Sequence, residues 1–145
     1  MNKMSYAVKD YMDKDFPTIE ITASVVEAAK VVSANNKGYA IVLEKGAPKG
    51  IVTEWDLVSK VLAVERNPRG TSVSAVMSAP LVTVDPDEDL IKASELMQKR
   101  EIKRLAVVKG GIIYGVITAT DIAQRCGDYV NKSIRDIMRW SIPFG

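Results

Sequence analysis

Two threonine–aspartate pairs carry the chemistry this sequence can offer. Thr53 and Asp56 stand in Gly50-Ile51-Val52-Thr53-Glu54-Trp55-Asp56, and Thr118 and Asp121 in Gly115-Val116-Ile117-Thr118-Ala119-Thr120-Asp121. In each, a glycine opens a short apolar, β-branched run that reads as a buried strand, and Thr-x-x-Asp introduces an amphipathic stretch that reads as a helix. A strand running into a helix start leaves unpaired N–H groups and a positive dipole end, which favour an anion such as a phosphate. The threonine hydroxyl can donate to that anion. The aspartate, an acceptor with two oxygens, suits the vicinal hydroxyls of a ribose. The same atoms also make a capping box, in which the threonine takes up an orphan N–H and the acid reaches back. Duplication does not separate the two readings, because copying a domain copies its caps.

Other chemistry is sparse. Histidine is absent and Cys126 is the only cysteine, which excludes disulfides, Cys/His zinc sites, Ser-His-Asp triads and Cys-His pairs. Cys126 reads as a small apolar filler near a helix end. Lys99-Arg100-Glu101-Ile102-Lys103-Arg104 is the one dense basic run. It is either a solvated helix end whose cations suit the C-terminal dipole, or a source of phosphate-facing cations in Lys103 and Arg104, with Lys37 as counterpart in the first half.

Composition bounds the rest. The 145 residues are 47% apolar and 26% charged, as in a folded globular protein, and the net charge of +2 gives no electrostatic footprint for nucleic acid or an anionic membrane. No apolar run approaches the roughly 20 residues of a membrane span, and Met1 to Tyr6 lead into no signal-type apolar core. A cytoplasmic protein is expected.

The elements that must position the two pairs follow from periodicity. After a lead-in Val8-Lys9-Asp10-Tyr11-Met12, Phe16 to Ile21 predicts a strand. Val25, Ala28, Ala29 and Val32 predict a helix, capped by Thr22 or Ser24 and ended by Asn35 to Gly38. Tyr39 to Leu43 and Gly50 to Thr53 predict strands around a turn at Glu44 to Lys49. Asp56 to Val64 predicts a helix with Leu57, Val58, Val61 and Leu62 on its apolar face. Then Glu65 to Gly70 breaks the pattern and the order restarts. Met77 answers Met12 at an offset of 65 residues, as do Thr83, Ala93, Thr118 and Asp121 for Thr18, Ala28, Thr53 and Asp56. Leu105 to Val108 answers Tyr39 to Val42 at an apparent offset of 66, implying one extra residue before that strand and one fewer after it. Leu81 to Val84 is the second opening strand, Asp85 to Asp87 a turn and helix start, and Leu90, Ala93, Leu96 and Met97 an apolar stripe in which Met97 is core. Ser133 to Met138 echoes the lead-in a third time, ahead of a Trp140, Ile142 and Phe144 tail suited to docking.

Each copy thus reads β-α-β-β-α, an α/β (α+β) unit of about 60 residues, marginal alone but able to share a core with a twin. The expected division is 8–64, a linker at 65–70, 71–126, and a C-terminal segment at 127–145. Two such units are expected to pair their sheets about a pseudo-twofold axis and leave two equivalent clefts.

The ordered set of features in duplicate resembles a tandem pair of CBS domains, a Bateman module, over roughly residues 8 to 126. It comprises a Met-ended lead-in, a Pro-x-x-Thr-like strand, an Ala-rich helix, a basic or glycine pair before an apolar strand, and Gly-x-x-Thr-x-x-Asp. The resemblance implies a non-catalytic regulatory module that binds adenosyl ligands (AMP, ADP, ATP or S-adenosylmethionine) in the clefts between the domains. It also implies a homodimer formed through the helices flanking the clefts, and signalling to an effector protein. Asp56 and Asp121 would hold ribose hydroxyls, and Thr53 and Thr118 the phosphate or its substitute. Adenine would lie against Asn36 to Tyr39, that is Asn36, Lys37, Gly38 and Tyr39, in one copy and against Ile102 to Leu105, that is Ile102, Lys103, Arg104 and Leu105, in the other. Lys37, Lys103 and Arg104 would neutralise phosphates. Ala40 and Ala106 stand where the family often has proline. With Asn36 set against Ile102 and Gly38 against Arg104, the second copy is expected to be the better site. Two other classes stay open: an interaction module with empty clefts, and a nucleic-acid accessory protein using Lys99 to Arg104, for which steep salt dependence is the mark. No metal site and no catalytic residue is expected.

Overall fold

The computed structural model describes residues 6–126. The chain forms two compact units, one of residues 15–81 and one in which residues 6–14 join residues 82–126. The first holds β1 (Thr18–Glu20), α1 (Val25–Asn35), β2 (Tyr39–Glu44), β3 (Ala47–Thr53) and α2 (Glu54–Leu57). The second repeats the order with β4 (Thr83–Val84), α3 (Leu90–Arg100), β5 (Arg104–Lys109), β6 (Ile112–Thr118) and α4 (Ala119–Cys126). The expected β-α-β-β-α pattern is therefore present twice, as a mixed α+β fold.

In each unit the middle strand pairs parallel with the first and antiparallel with the third. The ladders correct one expectation. Thr18 lies opposite Ile41 and Tyr39 opposite Thr53, while Thr83 lies opposite Ala106 and Arg104 opposite Thr118. The middle strands thus correspond at 65 residues, like everything else, and the one-residue insertion suggested by Leu105 to Val108 is absent. An apolar strand resembles itself at neighbouring offsets, whereas a one-residue slip would turn every side chain to the other face. Lys37, Gly38 and Tyr39 therefore correspond to Ile102, Lys103 and Arg104. The same bulge interrupts both hairpins, between Val42 and Leu43 and between Val107 and Val108.

Local chemistry sets the ends of the elements. Ser24 caps α1 in a full capping box, its hydroxyl 3.2 Å from the Glu27 N–H, and Asn36 stops the helix in the left-handed region at φ 56°. In α3 the cap is Asp89, whose carboxylate accepts from the Ile91 N–H at 2.7 Å. The helix therefore starts later than Asp85 to Asp87 suggested, because Asp85 closes a separate turn onto the Asp87 N–H at 2.8 Å. The Glu44 to Lys49 turn narrows to Lys45 and Gly46, both at positive φ, the geometry of a two-residue hairpin turn. Pro48 is accommodated in β3 beside the bulge.

The helix expected over Asp56 to Val64 is reshaped. After Leu57 the backbone widens into a π-helical turn over Val58–Leu62, with the Ala63 N–H donating to the Val58 carbonyl at 2.8 Å and Arg66 to Val61 at 2.9 Å. The wider turn breaks the 3.6-residue stripe. Of its four apolar residues Val61 alone is buried, Leu57 is half-buried, and Val58 and Leu62 stand 45% and 69% exposed beside Trp55 at 67%.

Two cores result. One gathers Ile19, Val25, Ala28, Val32, Ala40, Val42, Val52 and Val61 with Val73 and Val76. The other gathers Val84, Leu90, Ala93, Met97, Leu105, Val107, Ile117 and Ile122 with Val8. The lead-ins are exchanged: the segment before the first repeat packs in the second repeat's core, and the segment before the second repeat in the first's. The repeat glycines explain the fit. Asp13 pairs with Val116 by reciprocal backbone bonds of 2.8 and 3.0 Å, and Ser78 with Ile51 by bonds of the same lengths. This lays each lead-in against a glycine, and a Cβ on Gly115 would sit 2.7 Å from the Met12 sulfur, one on Gly50 2.7 Å from the Ser78 carbonyl oxygen.

Candidate functional site

The two turns occupy corresponding places and are bonded differently. In the first copy, antiparallel pairing sets Tyr39 opposite Thr53, and the Glu54 N–H donates to the Gly38 carbonyl at 3.1 Å. The loop before β2 and the Thr-x-x-Asp turn are thereby one structure. Thr53 Oγ1 accepts from the Asp56 N–H at 3.2 Å, and Asp56 Oδ2 accepts from the Thr53 N–H at 2.9 Å and from its hydroxyl at 3.1 Å. This is a complete capping box. The remaining oxygen, Oδ1, lies 3.0 Å from the Lys60 ammonium, which also donates to the Val76 carbonyl at 3.0 Å. Asp56 is buried, at 6% exposure.

The second copy has the same frame: Arg104 lies opposite Thr118, and the Ala119 N–H donates to the Lys103 carbonyl at 2.9 Å. Thr118 Oγ1 accepts from the Asp121 N–H at 3.0 Å. Half of the box is made. The half-buried Asp121 carboxylate has no hydrogen-bond or ion-pair partner among the described residues. Arg125 stands in the sequence where Lys60 does in the first copy; its side chain lies outside the described residues, as do the side chain of Cys126 and the Trp140 to Phe144 tail.

The structure thus brings Gly38, Tyr39, Thr53 and Asp56 together at one strand-to-helix junction, and Lys103, Arg104, Thr118 and Asp121 at the other. Tyr39 and Leu105 are buried interior side chains, so what these positions offer a ligand is backbone. Ile102 packs against the second core, Asn36 is the exposed stop of α1, and Lys37 turns its ammonium to the Asp15 carbonyl ahead of β1. Lys99 and Arg100 end α3 exposed, as a solvated helix end does. Lys60 was missed, although its place four residues after Asp56 on one helical stretch is a readable signal for an acid–base pair.

A surface groove of about 540 Å³ lies elsewhere, in the second unit, and its lining includes Lys9, Lys14, Asp87, Lys109 and Tyr114 but none of the site residues expected from the sequence. Asp87 is held between Lys9 at 2.8 Å and Lys109 at 3.6 Å. The Lys9 hydrogen bond holds the Asp87 carboxyl below the usual carboxylate range, and Asp87 in turn raises Lys9. Among the described residues no helix is long and apolar enough to cross a membrane, and no group of acidic, histidine or cysteine side chains is placed to hold a metal ion.

The CBS domain family model matches residues 8–63 and 73–128. The CBS domain-containing protein YhcV of Bacillus subtilis is 34% identical over 117 residues, covering 81% of this chain and 83% of that protein. Across the first three curated relatives the share of their own length spanned by this chain falls from 83% to 62% to 34%. A hexameric CBS-CP12 protein from bloom-forming cyanobacteria superposes with a TM-score of 0.79 at 30% identity, over 89% of this chain and 76% of that one. The CBS domain pair of MJ0100, solved in complex with 5′-methylthioadenosine and S-adenosyl-L-methionine, superposes with a TM-score of 0.77 at 27% identity, over 86% of this chain and 98% of that one. Doubled β-α-β-β-α units that share one residue offset, each ending in Gly-x-x-Thr-x-x-Asp, find their counterpart in that family, and the chain belongs to it as a tandem pair of CBS domains, a regulatory module.

Proposed function

We propose that this module binds adenosyl ligands at its Thr-x-x-Asp turns and passes their occupancy to a partner protein without itself catalysing a reaction. One observation carries the reading. At the second turn a half-buried carboxylate with no partner among the described residues stands beside a threonine hydroxyl, at the start of an eight-residue helix whose first N–H is tied to the loop before β5. A carboxylate can accept from both hydroxyls of a ribose, and the threonine and helix start can receive the charged or polar group beyond it. The ligand complex of the MJ0100 domain pair supports the adenosyl class. AMP, ADP, ATP and S-adenosylmethionine share the sugar and differ in the group that Thr118, Lys103 and Arg104 would meet; Thr53, Asp56 and Lys37 would serve the first turn.

Such a ligand shifts the populations of two arrangements only by its differential affinity for them. A homodimer is the proposed assembly. The exposed Trp55, Val58 and Leu62 on α2 and its π-helical extension offer an apolar surface suited to it, and the hexameric state of the CBS-CP12 protein supports self-association. The balanced charge and the lack of a membrane-crossing helix among the described residues are compatible with a cytoplasmic setting.

Titration with AMP, ADP, ATP and S-adenosylmethionine on wild type, Asp56→Ala and Asp121→Ala tests the reading. Saturable binding lost in Asp121→Ala is expected. Failure of all four compounds to bind or to raise the melting temperature would leave the second reading, an interaction module. The complete capping box at Asp56 favours that reading for the first turn taken by itself.

A further inference from the structure

We propose that Lys60 is a latch on the first-copy site, holding Asp56 Oδ1 and the Val76 carbonyl together so that this carboxylate is withheld from a ligand's sugar until the lysine lets go. The inference rests on the adenosyl reading and assigns a role that the Thr-x-x-Asp pattern does not contain. Three donors already converge on Asp56: the Thr53 N–H and hydroxyl on Oδ2, and the Lys60 ammonium on Oδ1. A carboxylate has about four lone-pair sites, so a ribose diol that needs two of them must displace one of these donors. The capping pair is local backbone structure and is renewed whenever the helix forms. Lys60 is the displaceable one.

It is also more than a passing surface contact. Ion-paired hydrogen bonds are roughly twice as strong as neutral ones, so a neutral sugar hydroxyl does not replace an ammonium without loss. The second bond, to Val76, fixes the ammonium from the side of the exchanged lead-in, and Asp56 lies buried beneath it at 6% exposure. Yet the Lys60 side chain is 44% exposed, so on release the ammonium passes into water. That combination makes a reversible catch. Asp121, whose box is half made, has no such donor among the described residues.

The test is isothermal titration of the full chain with S-adenosylmethionine, AMP and ATP separately, in wild type, Asp121→Asn, Asp121→Asn/Lys60→Met and Asp121→Asn/Lys60→Arg. Wild type is expected to bind one ligand per chain with high affinity, and Asp121→Asn to weaken it at least tenfold. Adding Lys60→Met to Asp121→Asn should restore binding at the first turn by at least tenfold, while Lys60→Arg, which keeps the charge, should not. Lys60→Gln is the second uncharged variant should Lys60→Met fail to melt cooperatively. A purely structural lysine would lower the melting temperature without restoring any binding, and that result overturns the latch. So do two equal sites in wild type. In both cases the adenosyl reading stands. Absence of binding by every variant to all three compounds overturns the adenosyl reading itself, and the latch with it.

Discussion

The Thr53 and Thr118 turns share a sequence frame, a strand register and a backbone bond to the preceding loop, and they differ in what the aspartate does. Asp56 is spent on its own helix start and on Lys60, whereas Asp121 takes from its turn only the cap on its N–H. The difference teaches that the oxygens a cap uses are the same ones a sugar diol would need, so the proposed site and the cap compete for them. A Thr-x-x-Asp pattern seen in a sequence does not say whether the full box forms, and in the first copy the residue that takes the remaining aspartate oxygen stands one helical turn further on.

The largest expected difference between the copies is in their cores. Leu90 in α3 corresponds to Val25 in α1, and both are buried. At about 0.8 kcal/mol per buried carbon, Leu90→Ala should cost about 2.4 kcal/mol and Val25→Ala about 1.6 kcal/mol in lost burial, with a larger cavity cost added for Leu90, read by urea denaturation. Equal costs would mean that the second core relaxes around its cavity. Next come the glycines under the lead-ins. Gly50→Ala and Gly115→Ala should each cost about 1–3 kcal/mol through forced contact with the Ser78 and Asp13 carbonyls and the methionine sulfurs. Met12→Ala should relieve part of the Gly115→Ala cost, and no relief at all would place the strain in the backbone alone.

The aspartates sharpen the comparison at the site. Asp56→Ala removes the back-bonds of a complete box and one partner of Lys60, a loss of about 1.5–2 kcal/mol, while Asp121→Ala should stay within about 0.5 kcal/mol in the absence of ligand. Matching losses would show that both carboxylates serve only their turns. The smallest effect is a pH dependence confined to the second unit, because Lys9 and Asp87 correspond to Ser74 and Thr22 in the first. The folded-state value of Asp87 lies below its ordinary one, so its contribution is present above the ordinary carboxylate range and is lost as pH falls through the depressed value. Lys9 is raised, so its contribution holds below the ordinary lysine range and is lost as pH rises through the higher value. Both groups are exposed, so salt should erase most of this. Carboxyl titration by NMR should find Asp87 depressed in wild type and shifted upward in Lys9→Met.

Local and repetitive properties were decided by the chain itself. The doubled order of strands and helices, the helix stop at Asn36, the apolar stripe of α3 and the pairing of Thr53 with Asp56 and of Thr118 with Asp121 are all matters of near neighbours. Periodicity and cap chemistry report near neighbours well. Three things needed the folded molecule. The 65-residue register of β5 was set by its ladder, since apolar strands look alike one residue apart. The exposure of Val58 and Leu62 came from a π-helical turn that no hydrophobic pattern announces. And the exchange of lead-ins, with the second bond that ties Lys60 to the Val76 carbonyl, was decided by groups such as Met77 and Gly50 or Lys60 and Val76, which are far apart in sequence and meet only when the chain has folded.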